Sequence, residues 1–511
     1  MVLQPTREQQ HAFQLFNTLQ DLKINAFAGA GKTSTLHFMA ANTHRSGLYL
    51  AFNRSIVTDA RKKFPRNVHC LTIHALAMSA NAAIYNSIPG KLTNSMNGNA
   101  VTMILGLQLK INLTKEFSLT PRSQGFLVLE TMKKFMQSSD LRPALNHIPL
   151  HGKLQLVPIE HLSDFFQQVV HWANYLWDKM IDPNDPTPLG FEGILKLWAL
   201  SNPILTYDYI LLDEAQDSNP VILDVLAKQN TQIIYVGDKH QQLYEWRGAV
   251  NAMDKIFTLN TSNLTCSFRF GPAIAEVATR ILWLLGEKTF VQGNREIYSM
   301  IGPCNPKTVL CRTNAGVISE FVSAVQANKM PFIIGGTVEL KTYLQSVTAL
   351  KNGMPSDHPE LFGFSSWDEV IEFSETPEGG HLRTIVNIVK THDENMLKKI
   401  LEITPKYESQ ADVVISTVHK AKGREWEYIR LANDYFTPRQ TEDGFYNLNT
   451  AEVRLLYVAI TRAKFGVELS ESAHQYLQIP FDKVLLDSNK EDNNSSCIKD
   501  CHNSSELSIM V

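Results

Sequence analysis

Apolar residues in this chain come in short runs, bounded by polar or Gly-rich turns and separated by helix-length segments. Runs at 23–27, 48–52, 70–72, 209–212, 233–236, 308–311, 413–417, 429–432 and 467–469 predict strands. Most are apolar at successive positions rather than alternating, so both faces of each strand are expected to be covered. That pattern predicts parallel sheets in an α/β architecture. The strand-rich zones fall at 23–72 and 209–236, then at 308–335 and 413–469, with helical-looking stretches at about 80–200 and 340–405. Two α/β cores, each interrupted by a mainly helical insertion, account for this order. The expected boundaries are 1–80 with 195–270 for the first core and 81–194 for its insertion. The second core is expected at 271–337 with 405–480, around a smaller insertion at 338–404. Residues 481–511 are expected to form a disordered tail, polar and Asn/Ser-rich from Asp487 onward.

Composition adds limits. The chain has 511 residues, 44% hydrophobic and 19% charged, the balance of an ordinary globular protein. Net charge is −3 and the pI about 6.6. A nucleic-acid partner would therefore need a local groove, because the whole chain offers it no attraction. The opening "MVLQPTREQQ" lacks the apolar segment of a signal peptide, and no apolar run approaches a membrane span. Six scattered cysteines read as reduced thiols in an intracellular protein. "CIKDCH", with Cys497 and Cys501, holds only half of a zinc site.

The candidate chemistry starts at "AFAGAGKTS", which follows the first predicted strand. A phosphate-binding loop needs close backbone approach, which Gly29, Ala30 and Gly31 allow. It also needs a helix N-terminus aimed at the anion, a lysine for the β- and γ-oxygens and a hydroxyl for magnesium. Lys32 and Thr33 supply the last two, with Ser34 next. The strict pattern begins with Gly where this chain has Ala26, so the string alone also fits a helix-capping turn. The strand before it favours the phosphate reading. In "YDYILLDEAQD" an apolar strand ends in Asp213-Glu214. Acids at the C-terminal end of a parallel strand face the ligand crevice. Asp213 suits the Mg²⁺ shell and Glu214 the polarisation of an attacking water. The two motifs together point to a P-loop NTPase. Thr6 and Gln9 of "PTREQQ" fit a helix capping box, and Gln9 also suits reading of an adenine edge. "GDKHQQLYEWRGA" mixes the polar residues of a catalytic loop with the aromatics of a binding loop.

The order of "TREQQ", "AGAGKT", "AFNR", "TIHALA", "DEAQD", "VGDKHQQLYEWRGA", "SFRF", "TVHKAKGREW" and "LLYVAITRAK" resembles superfamily 1 helicases of the UvrD/Rep/PcrA type, from about residue 3 to 470. Within that group the chain is most similar to the helicase region of the F-box DNA helicases. The F-box itself is expected to be absent, since the first helicase motif opens the chain. The resemblance implies two RecA-like cores with ATP between them. It implies that Gln241 senses the γ-phosphate, that Arg269 and Arg462 are arginine fingers, that Phe268 stacks on adenine and that Glu425 links to the nucleotide. It places Phe52, Thr72, His74, Tyr244, Trp246, Arg247, Thr417 and His419 on DNA, with Gly423 near the cleft. Ser34 departs from relatives that carry an arginine after "GKT" to sandwich the base. The implied activity is ATP- and Mg²⁺-dependent 3′→5′ movement on single-stranded DNA, with unwinding of forked duplex, in DNA repair or recombination control. An RNA-directed helicase, or a translocase that mainly strips proteins from DNA, is the alternative. A monomer is expected, with recombinase filaments or replication-clamp proteins as further partners. The expected compartment is the nucleus in a eukaryote, or the cytoplasm and nucleoid in a bacterium.

Overall fold

A computed structural model describes residues 4–85, 87–115, 117–243, 252–356, 358–376 and 379–486. The first sheet holds β1 (Leu22–Ala26), β2 (Gly47–Ala51), β3 (Val68–Thr72), β4 (Tyr209–Leu212), β5 (Gln232–Gly237) and β6 (Asn260–Leu264), in the order β3-β2-β4-β5-β1-β6. The second holds β7 (Met300–Ile301), β8 (Thr308–Cys311), β9 (Pro331–Ile333), β10 (Val413–Thr417), β11 (Trp426–Leu431) and β12 (Ala463–Glu468), in the order β9-β10-β8-β11-β12-β7. Every pairing in both sheets is parallel.

The apolar runs form strands because both faces are covered. In the first sheet Tyr49, Leu211 and Ile234 join one apolar cluster, while Leu48, Leu50, Ile210, Leu212 and Ile233 join another on the opposite face. That is the period-2 alternation of a sheet buried on both sides. The sequence pattern does not reveal three of the strands. β6 reads "NTSNL", too polar to resemble a core strand, and it is an edge that pairs only with β1. β9 opens on a proline and β7 is two residues long, both edges as well.

The segment after β3 builds its own core. Val101, Phe126, Phe135, Val169 and Trp177 pack in one cluster, and Phe362 enters it from the later part of the chain. Lys91 is buried there and donates to the carbonyls of Lys179, Asp182 and Asp185 at 3.3, 2.8 and 2.6 Å. The ammonium bonds three backbone acceptors, of which the Asp182 carbonyl alone has a second donor, the Asp185 N–H at 3.3 Å. Lys91→Met is therefore expected to cost about 2–4 kcal/mol, since each buried acceptor left unmet costs about 1–3 kcal/mol. An unchanged urea midpoint would show that water replaces the ammonium. The helices between 338 and 401 instead share a core with β8, β9 and β10 through Leu340, Leu344, Trp367 and Ile385.

The two cores meet where the first sheet's loops emerge. Phe27, Ala28 and Leu243 of the first core lie in one apolar cluster with Phe270, Ile274, Tyr457 and Val458 of the second. The C-terminal ends of β1, β4 and β5 therefore open against the second core, where ligands of parallel sheets bind.

Candidate active site

β1 runs into the turn 27–31 and then the helix Lys32–Ala41. Ala26 is still in the strand, paired with Leu264, and does not have a positive φ. The position therefore needs no glycine, and the missing first Gly of the motif costs the loop nothing. Gly29 and Gly31 do need to be glycine, at φ +73° and +78°. A Cβ on Gly29 would also lie 2.5 Å from Ser267 Oγ and 2.7 Å from Arg269 Cβ. The "SFR" segment is thus pressed onto the loop, and the Phe268 N–H donates to the Gly29 carbonyl at 2.8 Å. Ala30 is buried and Ser34 is exposed.

Lys32 Nζ donates to Glu214 Oε2 at 2.6 Å, and Thr33 Oγ1 to Asp213 Oδ2 at 2.9 Å. Burial alone would lower the Lys32 pKa, but Glu214, Asp213 and Asp238 outweigh it and raise it. Burial pushes Glu214 up, and Lys32 and Lys422 more than reverse that, bringing it to about 2. Asp213 is raised, by burial and by its acidic neighbour, although Tyr49 Oη donates to it at 2.7 Å. Glu214 is also a non-glycine residue in the left-handed region, at φ +53°. Strain of that kind persists only where surroundings enforce it. Here the Lys32 bond and a 2.6 Å bond from Gln216 hold the side chain.

These groups fit a small divalent cation. Thr33 and Asp213 already converge, and Asp213 is a carboxylate that burial beside Glu214 makes reluctant to ionise without a positive partner. Magnesium is held by one or two side chains with water and phosphate oxygens.

Gln9 and Phe268, expected at the adenine, also gather at the phosphate loop. A Cβ on Gly31 would meet Phe268 at 3.2 Å and Gln9 Nε2 at 3.3 Å. The Phe268 ring is 44% exposed, enough to offer a face to a planar base. Gln9 completes the Thr6 capping box through its Oε1, while its Nε2 donates to Thr35 Oγ1 at 3.0 Å.

The loop after β5 is gripped from the second core between Asp238 and Leu243. Lys239 and His240 contact Glu287 at 2.8 and 3.1 Å. Tyr457 Oη donates to Asp238 at 3.0 Å, and Arg462 Nη2 to Gln241 Oε1 at 3.0 Å. Lys422 Nζ donates to the Gln241 carbonyl at 2.6 Å, and the His419 ring bonds the Leu243 backbone. Arg269 sits nearby, donating to Glu425 at 2.8 Å and to the Thr461 carbonyl at 3.0 Å. Glu425 also pairs with Lys464 at 2.7 Å.

Beside the acids lies a cavity of about 300 Å³. Phe52 and His74 line it from the first core, Lys422 and Gly423 from the second, and Glu214 and Asp217 from its floor. His74 is 3.4 Å from Glu192 there. Thr72 and Thr417 are not in its lining; their hydroxyls accept from the Ala75 and Lys420 N–H groups and start helices. His419 is also outside it, turned to Leu243. Tyr244, Trp246 and Arg247 lie outside the described residues, as do Cys497 and Cys501.

Four residues of this site have no role in the sequence reading: Tyr49, which lies outside its motifs, and Asp217, Lys422 and Tyr457, which lie within "DEAQD", "TVHKAKGREW" and "LLYVAITRAK". Lys422 Nζ binds both Asp217 oxygens, at 2.6 and 2.7 Å, across the two cores. Burial still pushes Asp217 up to about 6 against that pull. Its folded pKa thus stands above its unfolded value of about 3.9. The group contributes stability below about pH 4, and that stability is lost as pH rises through about 6. Asp217→Asn removes this loss, because the amide does not titrate and the Lys422 attraction is already part of the shift. The variant's melting temperature, relative to the native protein, is expected to rise between about pH 4 and 7, by an equivalent of about 2–3 kcal/mol at most. A flat difference would mean that Asp217 titrates like an exposed carboxyl.

Residues 198–258 match the UvrD/REP helicase N-terminal domain, and residues 368–473 match the UvrD-like helicase C-terminal domain. The chain is 30% identical over 494 residues to F-box DNA helicase protein 1 of Schizosaccharomyces pombe, covering 88% of this chain and 55% of that one. It is 33% identical over 513 residues to F-box DNA helicase 1 of Gallus gallus, covering 91% and 49%. A probable DNA helicase II homolog of Mycoplasma genitalium is 35% identical over 378 residues, covering 50% and 53%. The chain spans about half the length of these relatives. Two parallel sheets that enclose a phosphate loop and an acid pair thus carry matches to both the N-terminal and the C-terminal domain of the UvrD-like helicases.

Proposed function

We propose that this chain is an ATP-dependent DNA helicase that moves 3′→5′ along single-stranded DNA and unwinds forked duplex. The observation that carries the proposal is the grip of Glu287, Lys422, Tyr457 and Arg462 on residues 238–241 of the other core. A loop held this way cannot shift without moving both cores.

In this reading Gln9 and Phe268 seat the adenine, and the N–H groups from Gly29 to Thr33 cradle the phosphates. Thr33 and Asp213 would hold a magnesium ion, which when bound would supply positive charge to the phosphates. Lys32 leaves Glu214 to bind the same phosphates, and Glu214 then orients the attacking water. Arg269 and Arg462 reach the transferring group from the second core, where a planar and permanently charged fork suits its oxygens. Glu425 holds Arg269 until then. Phe52 stacks on a base and His74 meets the strand; Tyr244, Trp246 and Arg247, outside the described residues, are assigned to DNA on the resemblance alone. Thr72, Thr417 and His419 shape the backbone that presents these groups. Stacking is worth about 1–3 kcal/mol per base and ignores sequence. A duplex base step is worth about 1.4 kcal/mol, so grip of this strength matches a step of about one base pair. The proposed setting is DNA repair or recombination control within the cell.

Forked substrates with 3′ or 5′ single-stranded tails, in DNA and RNA versions, test this. Unwinding of the 3′-tailed DNA fork is expected. Preference for the RNA forks would favour an RNA-directed helicase. ATP hydrolysis on DNA without unwinding of any fork would favour a translocase that strips proteins from DNA.

A further inference from the structure

One buried hydroxyl joins the phosphate loop, the loop after β5 and the helix that ends at Arg462. Tyr457 lies on the helix Thr450–Ile460, with no exposed surface. Its Oη accepts the Ala28 N–H at 3.0 Å and donates to Asp238 Oδ2 at 3.0 Å. The same Oδ2 accepts from Gln241 Nε2 at 2.7 Å. Gln241 Oε1 in turn accepts from Arg462 Nη2 at 3.0 Å. Thr461, next to Arg462, donates back to the Tyr457 carbonyl at 2.9 Å. The bonds form a circuit: phosphate loop, Tyr457, Asp238, Gln241, Arg462, and back along the helix to Tyr457.

We propose that Tyr457 is a positioning residue for ATP hydrolysis, its hydroxyl setting the orientation of the Gln241 amide and the seat of Arg462 against the phosphate loop. The inference rests on the functional reading above. Packing alone gives no reason for a hydroxyl here, since phenylalanine would fill the same space. The amide of Gln241 has one end that donates and one that accepts. A carboxylate can only accept and a guanidinium can only donate, so Asp238 and Arg462 together allow one orientation. Tyr457 pins the carboxylate that makes this choice. Burial and the nearby Asp238 raise the tyrosine pKa well above its ordinary value, so the hydroxyl remains a donor. Without it Asp238 is held by the His240 N–H on Oδ1 at 3.0 Å and by the Gln241 amide it is meant to orient, and the Ala28 N–H loses its partner inside the apolar cluster. The second core then loses its register with the phosphate loop at the residue five positions before its arginine.

The test uses Tyr457→Phe in the full chain, with steady-state ATP hydrolysis on saturating single-stranded DNA and thermal melting alongside. Expected is a fall in kcat of about ten- to fiftyfold with KM for ATP within about threefold, the signature of an interaction used in the transition state. Asp238→Asn serves as a second variant. The double variant is expected to be no slower than the slower single one, because both changes break one circuit. Wild-type kcat in Tyr457→Phe overturns the proposal. So does a loss that saturating ATP restores, or losses that multiply in the double variant. If the unmodified protein shows no DNA-stimulated hydrolysis, the functional reading itself has failed. Hydrolysis in the native chain with an unaffected Tyr457→Phe overturns the positioning role alone.

Discussion

Lys32→Ala is expected to lower DNA-stimulated ATP hydrolysis by at least about a hundredfold, as loss of a positioned charge on transferring phosphoryl oxygens does elsewhere. Binding of single-stranded DNA should stay measurable. Lys32 opens the helix after the phosphate loop and is the nearest cation to the acid pair, 2.6 Å from Glu214. Alanine removes the charge that would meet the β- and γ-oxygens. It also leaves Glu214 buried in a left-handed backbone with only Gln216 and the more distant Lys422 in support. Breaking a buried pair costs about 3–5 kcal/mol, and the partial exposure of these two side chains places this case at or below the low end. A modest fall in melting temperature should therefore accompany the catalytic loss. Hydrolysis at the native rate would show that this loop does not hold the reacting phosphates.

Arg462→Lys is expected to reduce kcat by about a thousandfold, the lower range for an arginine that reaches a transferring phosphoryl group. KM for ATP should move much less. The charge is kept, so the loss would come from geometry. Arg462 is 2% exposed, its Nε donating to the Val458 carbonyl at 3.0 Å and its Nη2 to Gln241 at 3.0 Å. A lysine ammonium cannot span both acceptors as a planar fork does. Burial, followed by the like charge of Arg269, brings the guanidinium down to about 9. A positive group held at such cost suggests an anion it is meant to meet. A full-length, folded Arg462→Lys protein with near-native kcat would place the arginine in a structural role. The effect should also exceed that of Tyr457→Phe, which alters where the arginine sits and leaves it in place.

Much of the fold was legible because burial on both faces leaves a local mark. The runs at 209–212, 308–311 and 413–417 coincide with β4, β8 and β10, since a strand covered on each side must be apolar throughout. β6 was not legible, because an edge strand can be polar and still pair. Within the site, the Gly and Lys-Thr spacing carried information because left-handed backbone and phosphate approach demand it. Tyr457, Lys422 and Asp217 lie inside the quoted motifs, but nothing local to them names a partner. Their partners are 219 and 205 residues away, and a buried tyrosine or a lysine in a helical turn looks the same in sequence whatever it touches. Thr72 and Thr417 show the reverse: hydroxyls in motif positions that begin helices. The mixed loop from Gly237 is now partly explained. Its polar residues up to Gln241 are gripped by the second core, which requires donors and acceptors just where a strand leaves the sheet.

The central claim is that the cavity beside the acids, proposed to take DNA, and the phosphate loop form one coupled site through the acids and Lys422. Steady-state ATP hydrolysis by the purified chain, with and without a single-stranded DNA oligonucleotide, tests it most directly. Hydrolysis is predicted to be faster with DNA by at least about tenfold, a barrier change of about 1.4 kcal/mol. Equal rates with and without DNA, in a protein that binds both ATP and the oligonucleotide, would contradict it.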